Sequence, residues 1–170
     1  MKASVRNRFV ALAALFASFV LPTAASAGQA KAELSSFNSV PALATPGEGI
    51  VTAKLKRSEG RIEYRLYYSG IDSFVRASHI HFGNAWENGG IIAYLCTNLG
   101  DAPAPDVPVC PQASGTVEGV IEADDVVGPG GDGIQPGDFA TLLDAIDAGA
   151  VYVNIHTEAH PRGEVRGQLD

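Results

Sequence analysis

The chain has 170 residues, with 12 Lys+Arg against 19 Asp+Glu and a formal net charge of −7. That acidity repels phosphate backbones and anionic lipid, and no Lys/Arg cluster offsets it, so nucleic-acid and membrane-surface roles are excluded as leading readings. The length suits one domain with a self-sufficient core.

Residues 1–27 read as a secretory signal peptide. Lys2, Arg6 and Arg8 form a basic start, Phe9 to Leu21 is an uncharged apolar run, and Ala25-Ser26-Ala27 supplies a small-residue cleavage pattern. The run is too short for an ordinary membrane span. The expected mature chain begins at Gly28, is extracytoplasmic, and has no membrane association after cleavage. It keeps nine of the twelve Lys+Arg against all nineteen Asp+Glu, a net charge of −10.

Through residues 28–170, expected to form a single domain, period-two alternation recurs. Val51, Ala53 and Leu55 alternate with Thr52, Lys54 and Lys56; Ile62, Tyr64, Leu66 and Tyr68 alternate with Arg61, Glu63, Arg65 and Tyr67. Further strand-like runs are Phe74–Phe82, Ile91–Thr97, Thr116–Glu122, Val151–His156 and Glu164–Leu169, with glycines in the gaps. Short strands at fairly even spacing predict an all-β fold, an antiparallel β-sandwich or barrel of about seven to nine strands.

One segment differs. Phe139, Leu142, Leu143 and Ile146 follow i, i+3, i+4, i+7 spacing, with Pro136 before them and Gly149 after. This predicts one short helix over 138–148, lying across an open edge or end. The Gly/Pro/Asp-rich stretch 128–137 is a surface loop.

The two cysteines, Cys96 and Cys110, sit in no C-x-x-C spacing and read as a structural disulfide in an exported protein. Closing a loop of about 15 residues contributes on the order of 3 kcal/mol.

At the C-terminus, Tyr152, Asn154 and His156 share one strand face. If this strand pairs with 164–169 as a hairpin across a five-residue loop, Asn154 lies opposite Arg166 and His156 opposite Glu164, and with Gln168 these residues make one polar ladder.

These segments resemble a known family. Ala77-Ser78-His79-Ile80-His81-Phe82-Gly83, followed by Asn88-Gly89, is similar to the "A-H-I-H-x-G…N-G" signature of the CHRD (chordin-type) domain. Tyr152-Val153-Asn154-Ile155-His156-Thr157 and then Pro161 to Leu169 resemble its "Y-V-N-[VI]-H-T…P-x-G-E-[IV]-R-G-Q-[IL]" ending. Leu34 through Pro41 to Gly49 resembles its opening. Ser78 is an added position, and the segment carrying Cys96 to Cys110 lengthens the middle. The resemblance implies a secreted all-β module without established catalysis, such as a microbial single-domain member, acting as a binding module.

All four histidines, His79, His81, His156 and His160, lie in these signature segments. His79 and His81 are two apart on a strand and share a face. An H-x-H pair with a third imidazole suits copper or zinc, with Glu164 as a further ligand or as an acceptor that orients an imidazole, and Arg166 and Asn154 as supporting residues around the ligands. The alternative is a satisfied structural hydrogen-bond network. Calcium would want six to eight oxygens, and Asp124, Asp125, Asp132 and Asp138 match no such spacing. A copper–zinc superoxide dismutase pair needs more histidines than four; a copper-only version could use all four, with Arg166 steering an anion, although the signatures are not that family's. Ser78 and His79 face opposite ways, which removes serine catalysis. Two functions stand: a non-catalytic module binding a protein or surface partner, with Trp86 as an anchor, and a histidine-based copper or zinc protein.

Overall fold

The computed structural model describes residues 28–170, so the proposed signal segment and its cleavage site lie outside the described residues. Eight strands form one antiparallel sheet: β1 (Gly28–Ser35), β2 (Glu48–Lys56), β3 (Arg61–Ser69), β4 (Val75–Phe82), β5 (Ile91–Thr97), β6 (Gly115–Ile121), β7 (Val151–Thr157) and β8 (Val165–Gln168). Their order across the sheet is β5-β4-β7-β8-β1-β2-β3-β6. The sheet curls into a nearly closed barrel, with one helix, α1 (Phe139–Asp147), before β7.

The seven expected strands are all present, with ends shifted by at most two residues. β1 was not anticipated. Its inward residues are Ala30, Ala32 and Leu34, and alanine is too weakly apolar and too helix-compatible to announce a strand.

Alternation sorts the side chains as each strand enters the barrel. Val51, Ala53 and Leu55 of β2, Ile62, Leu66 and Tyr68 of β3, and Val151, Val153 and Ile155 of β7 point into one apolar core. α1 joins that core through Leu142, Leu143, Ala145 and Ile146. Asp138 caps its N-terminus by accepting from the Thr141 N–H. Asp147 pairs with Arg57 in the β2–β3 connection, which ties the C-terminal end of the helix to that connection.

The seam between the outermost strands, β5 and β6, is bridged by a side chain. Tyr64 stands opposite Gly119 of β6, and a Cβ at Gly119 would lie 2.4 Å from the Tyr64 hydroxyl. Because glycine leaves that path clear, the ring passes over β6 and its hydroxyl donates to Leu95 O of β5 at 2.7 Å. Tyr64→Phe leaves that buried carbonyl without its donor, and should cost about 1–3 kcal/mol in urea unfolding. A loss within error would show that the seam does not depend on this bond.

Cys96 and Cys110 form the expected disulfide. Asn98 reinforces it, donating to Val75 O and Cys110 O and accepting from the Cys110 N–H.

Candidate metal centre

On the outer face of β4, β7 and β8 the side chains are polar, yet they are buried or half-buried. Strand pairing explains which residues meet. His79 lies opposite Asn154 and His81 opposite Tyr152, while Asn154 faces Arg166 and Tyr152 faces Gln168. On the other side of β4, His79 pairs with Tyr94 of β5, where register shifts occur on either side of the His79–Ile80 segment. Such bulges bend a strand and re-aim its side chains.

Two segments cover this face. The first is 83–90, between β4 and β5. Arg166, only 2% exposed, donates one guanidinium nitrogen to Glu87 O and the other to Asn84 O, both at 2.6 Å. Its guanidinium lies 3.4 Å from the centre of the Tyr152 ring, which in turn stacks parallel on His81. Gly89 is required where this segment returns to the sheet, because a Cβ there would sit 1.5 Å from Phe82 O. The second cover is the β7–β8 turn, where Asn154 donates to Arg162 O at 3.1 Å.

Beneath them His79, His81 and His156 bring one nitrogen each within 4.8 Å of one another. Hydrogen bonding fixes two of the tautomers. His81 Nδ1 is 3.0 Å from Gly89 O, and His156 Nδ1 is 3.1 Å from Pro161 O. A carbonyl oxygen only accepts, so both Nδ1 atoms carry the proton and both Nε2 atoms are left with lone pairs. Those two Nε2 atoms face each other at 3.1 Å. Two nitrogens bound tetrahedrally to one zinc would be about 3.3 Å apart, so this spacing suits a shared cation. His79, 6% exposed, has no hydrogen-bond partner at either ring nitrogen, which is uncommon for a buried polar group.

A proton is a poor substitute for that cation. Burial, and then the neighbouring imidazoles His156 and His81, push His79 down to about 2. Burial and His156 push His81 down to about 4, with Arg166 adding to the effect. His156 is lowered by burial, and Arg76 acts in the same direction while the bond to Pro161 O opposes it.

The sign of the resulting pH dependence follows. Unfolded, an imidazole takes a proton near pH 6.5. Below that value the unfolded chain holds more protons than the folded one, so acid favours unfolding. The contribution is complete well above pH 6.5 and erodes by about 1.4 kcal/mol per pH unit for His79 and for His81 as pH falls toward 4, with His156 acting in the same direction. His79→Phe should flatten the loss of metal-free stability between pH 7 and 5 by that slope. An unchanged slope would contradict the burial-driven shift.

The other expected site residues fall elsewhere. His160 is not part of the three-imidazole group; its main chain caps the β7–β8 turn, with its N–H donating to Thr157 Oγ1 and its carbonyl accepting from the Gly163 N–H. Glu164 precedes β8, and its carboxylate accepts from Thr157 Oγ1 at 2.9 Å. The acceptor that orients His156 is therefore Pro161 O. Asn154 and Arg166 act by holding the two covering segments. Tyr152, expected on the polar face of its strand, packs on His81; Tyr94, which packs on His79, was not anticipated, because only the β4–β5 pairing brings it there. Trp86 is 81% exposed at the tip of 83–90 and does not cap the core.

An antiparallel barrel with a covered polar face of imidazoles is the class of protein defined by these features. The CHRD domain family model matches residues 30–169, and the chain belongs to that family. No curated protein and no solved structure matches the chain.

Proposed function

We propose that the protein is an extracytoplasmic CHRD-domain binding module whose ligand is a copper or zinc ion held by His79, His81 and His156. One observation carries this reading: two Nε2 lone pairs face each other at 3.1 Å while both Nδ1–H groups are committed to carbonyls. A structural network would place a proton between such nitrogens. His79, with both nitrogens unpartnered, adds a third donor. Imidazole is a favoured ligand for both metals. The disulfide supports an oxidising compartment, and among the described residues no helix is long and apolar enough to cross a membrane.

Elemental analysis of untagged protein recovered from its native compartment tests the proposal. Near-stoichiometric copper or zinc, lost in His81→Ala and retained in Trp86→Ala, supports it. Metal-free protein that takes up neither ion at neutral pH rejects it.

Trp86 favours a second reading, a protein or surface partner engaged at the tip of 83–90, since exposed aromatics are frequent interface anchors. Trp86→Ala should leave stability within about 0.5 kcal/mol of wild type while weakening partner capture. Capture at full strength would remove Trp86 as the anchor.

A further inference from the structure

We propose that an uncharged glycan chain binds along two adjoining grooves on the outside of the barrel, stacked on Phe37, Tyr67 and Trp86. The inference rests on Trp86 as the anchor of the second reading above, names the ligand class, and is independent of the imidazoles.

The first groove crosses the outer face of β1, β2 and β3. Glu33, Ile50 and Tyr67 stand there in one cross-strand row, and Phe37 of the turn Ser36–Asn38 lines the groove with them, as does Thr45. Its volume of about 570 Å³ falls within the roughly 300–1,000 Å³ of small-ligand sites. The second groove, of about 180 Å³, is lined by Trp86, Gln168 and Asn38. Asn38 lines both grooves. Asn88 donates to Val40 O at 3.0 Å, which ties segment 83–90 to the chain just beyond the turn.

Phe37 is 69% exposed and Tyr67 44%, so with Trp86 three large aromatic rings stand in water along this track. Each groove also carries a buried side-chain oxygen without a partner, Thr45 Oγ1 in the first and Gln168 Oε1 in the second. The Gln168 amide is held through its nitrogen, which donates to Gly83 O and Gly149 O, so its oxygen is the spare acceptor. Unpartnered buried polar atoms are uncommon, and a ligand hydroxyl would satisfy either one. A sugar ring has this combination of needs. Its C–H face lies flat on an aromatic ring, while the hydroxyls at its rim exchange hydrogen bonds with amides, carboxylates and hydroxyls.

Charge and topology narrow the ligand. Among the described residues no Lys or Arg lines the first groove, whereas Glu33 and Glu48 do. In the second, the terminal nitrogens of Arg166 are committed to Glu87 O and Asn84 O. Sulfated or uronic-acid chains would be repelled. An extended peptide gains its main-chain hydrogen bonds by adding a strand to an open sheet edge. β1, β2 and β3 each have a neighbouring strand on both sides, so no such edge lies under the first groove.

The test is native affinity electrophoresis of the intact mature protein in gels containing soluble β-glucan, galactomannan or glycol chitin, with heparin as the polyanion. Wild type should be retarded by at least one of the three uncharged polymers, equally at low and high salt, and not by heparin. Trp86→Ala, Phe37→Ala and Tyr67→Ala should each weaken that binding by about tenfold. Val109→Ala, at an exposed position that lines neither groove, should leave it unchanged. The three rings are exposed, so their removal leaves folding intact. No retardation by any uncharged polymer, retardation by heparin alone, or binding unmoved in all three aromatic variants overturns the proposal. Capture of a protein partner that fails in Trp86→Ala, with no polymer retarding the chain, overturns the glycan while keeping Trp86 as an anchor.

Discussion

Replacing Arg166 by alanine is expected to destabilise the protein by about 3 kcal/mol and to free segment 83–90 from the sheet. The reason is local and directional. Arg166 is buried, and its two terminal nitrogens each take one carbonyl, Asn84 O and Glu87 O, a fork that lysine does not reproduce. Its guanidinium also covers the Tyr152 ring. Hydrogen bonds from a charged donor contribute about 1.5–3 kcal/mol each, offset here as the released carbonyls reach water. Urea unfolding gives the magnitude. Amide exchange at Asn84–Gly90 gives the location, with faster exchange expected there than in β1–β3. Because Gly89 O orients His81, metal affinity should fall as well. A change below about 1 kcal/mol with unaltered exchange would mean that the segment is held by something else.

His79→Phe is expected to stabilise the metal-free protein by about 1–3 kcal/mol and to abolish metal binding. A buried imidazole with no partner at either nitrogen bears the cost of leaving water without recovering a hydrogen bond. An apolar ring among Tyr94, His81 and His156 removes that cost. If phenylalanine overpacks the site, His79→Leu should move stability in the same direction. In wild type, metal at about a hundred times its dissociation constant should add about 2.7 kcal/mol, and neither variant should show that gain. A structural network predicts the reverse, namely a loss of stability on substitution and no metal effect in any form. Gains of this kind at a functional position are the expected trade between stability and binding.

Much of the fold was legible because long alternating runs such as Arg61–Tyr68 permit one inward face. The helix was equally plain from the spacing of Phe139, Leu142, Leu143 and Ile146 between Pro136 and Gly149. What escaped was either weakly apolar, as in Ala30 and Ala32 of β1, or non-local, as in the reach of Tyr64 across Gly119 to Leu95.

The site divides the same way. His79 and His81 share a face by spacing alone, and the Asn154–Arg166 opposition follows from hairpin register. The same register reasoning failed to place Glu164's carboxylate, because the ladder ends at Ile155–Val165 and the chain turns before it. His160 belongs to that turn, which fixes it by its main chain. The role of Arg166 depends on carbonyls about 80 positions away in sequence, which no local pattern encodes.

The most direct test of the central claim is an anomalous-difference map from crystals of the mature protein grown with copper or zinc, recorded at the absorption edge of the metal supplied. A peak within about 2.0–2.2 Å of His81 Nε2, His156 Nε2 and one ring nitrogen of His79 is the predicted result. No peak among these three residues, in crystals that hold the ion elsewhere or not at all, would contradict it.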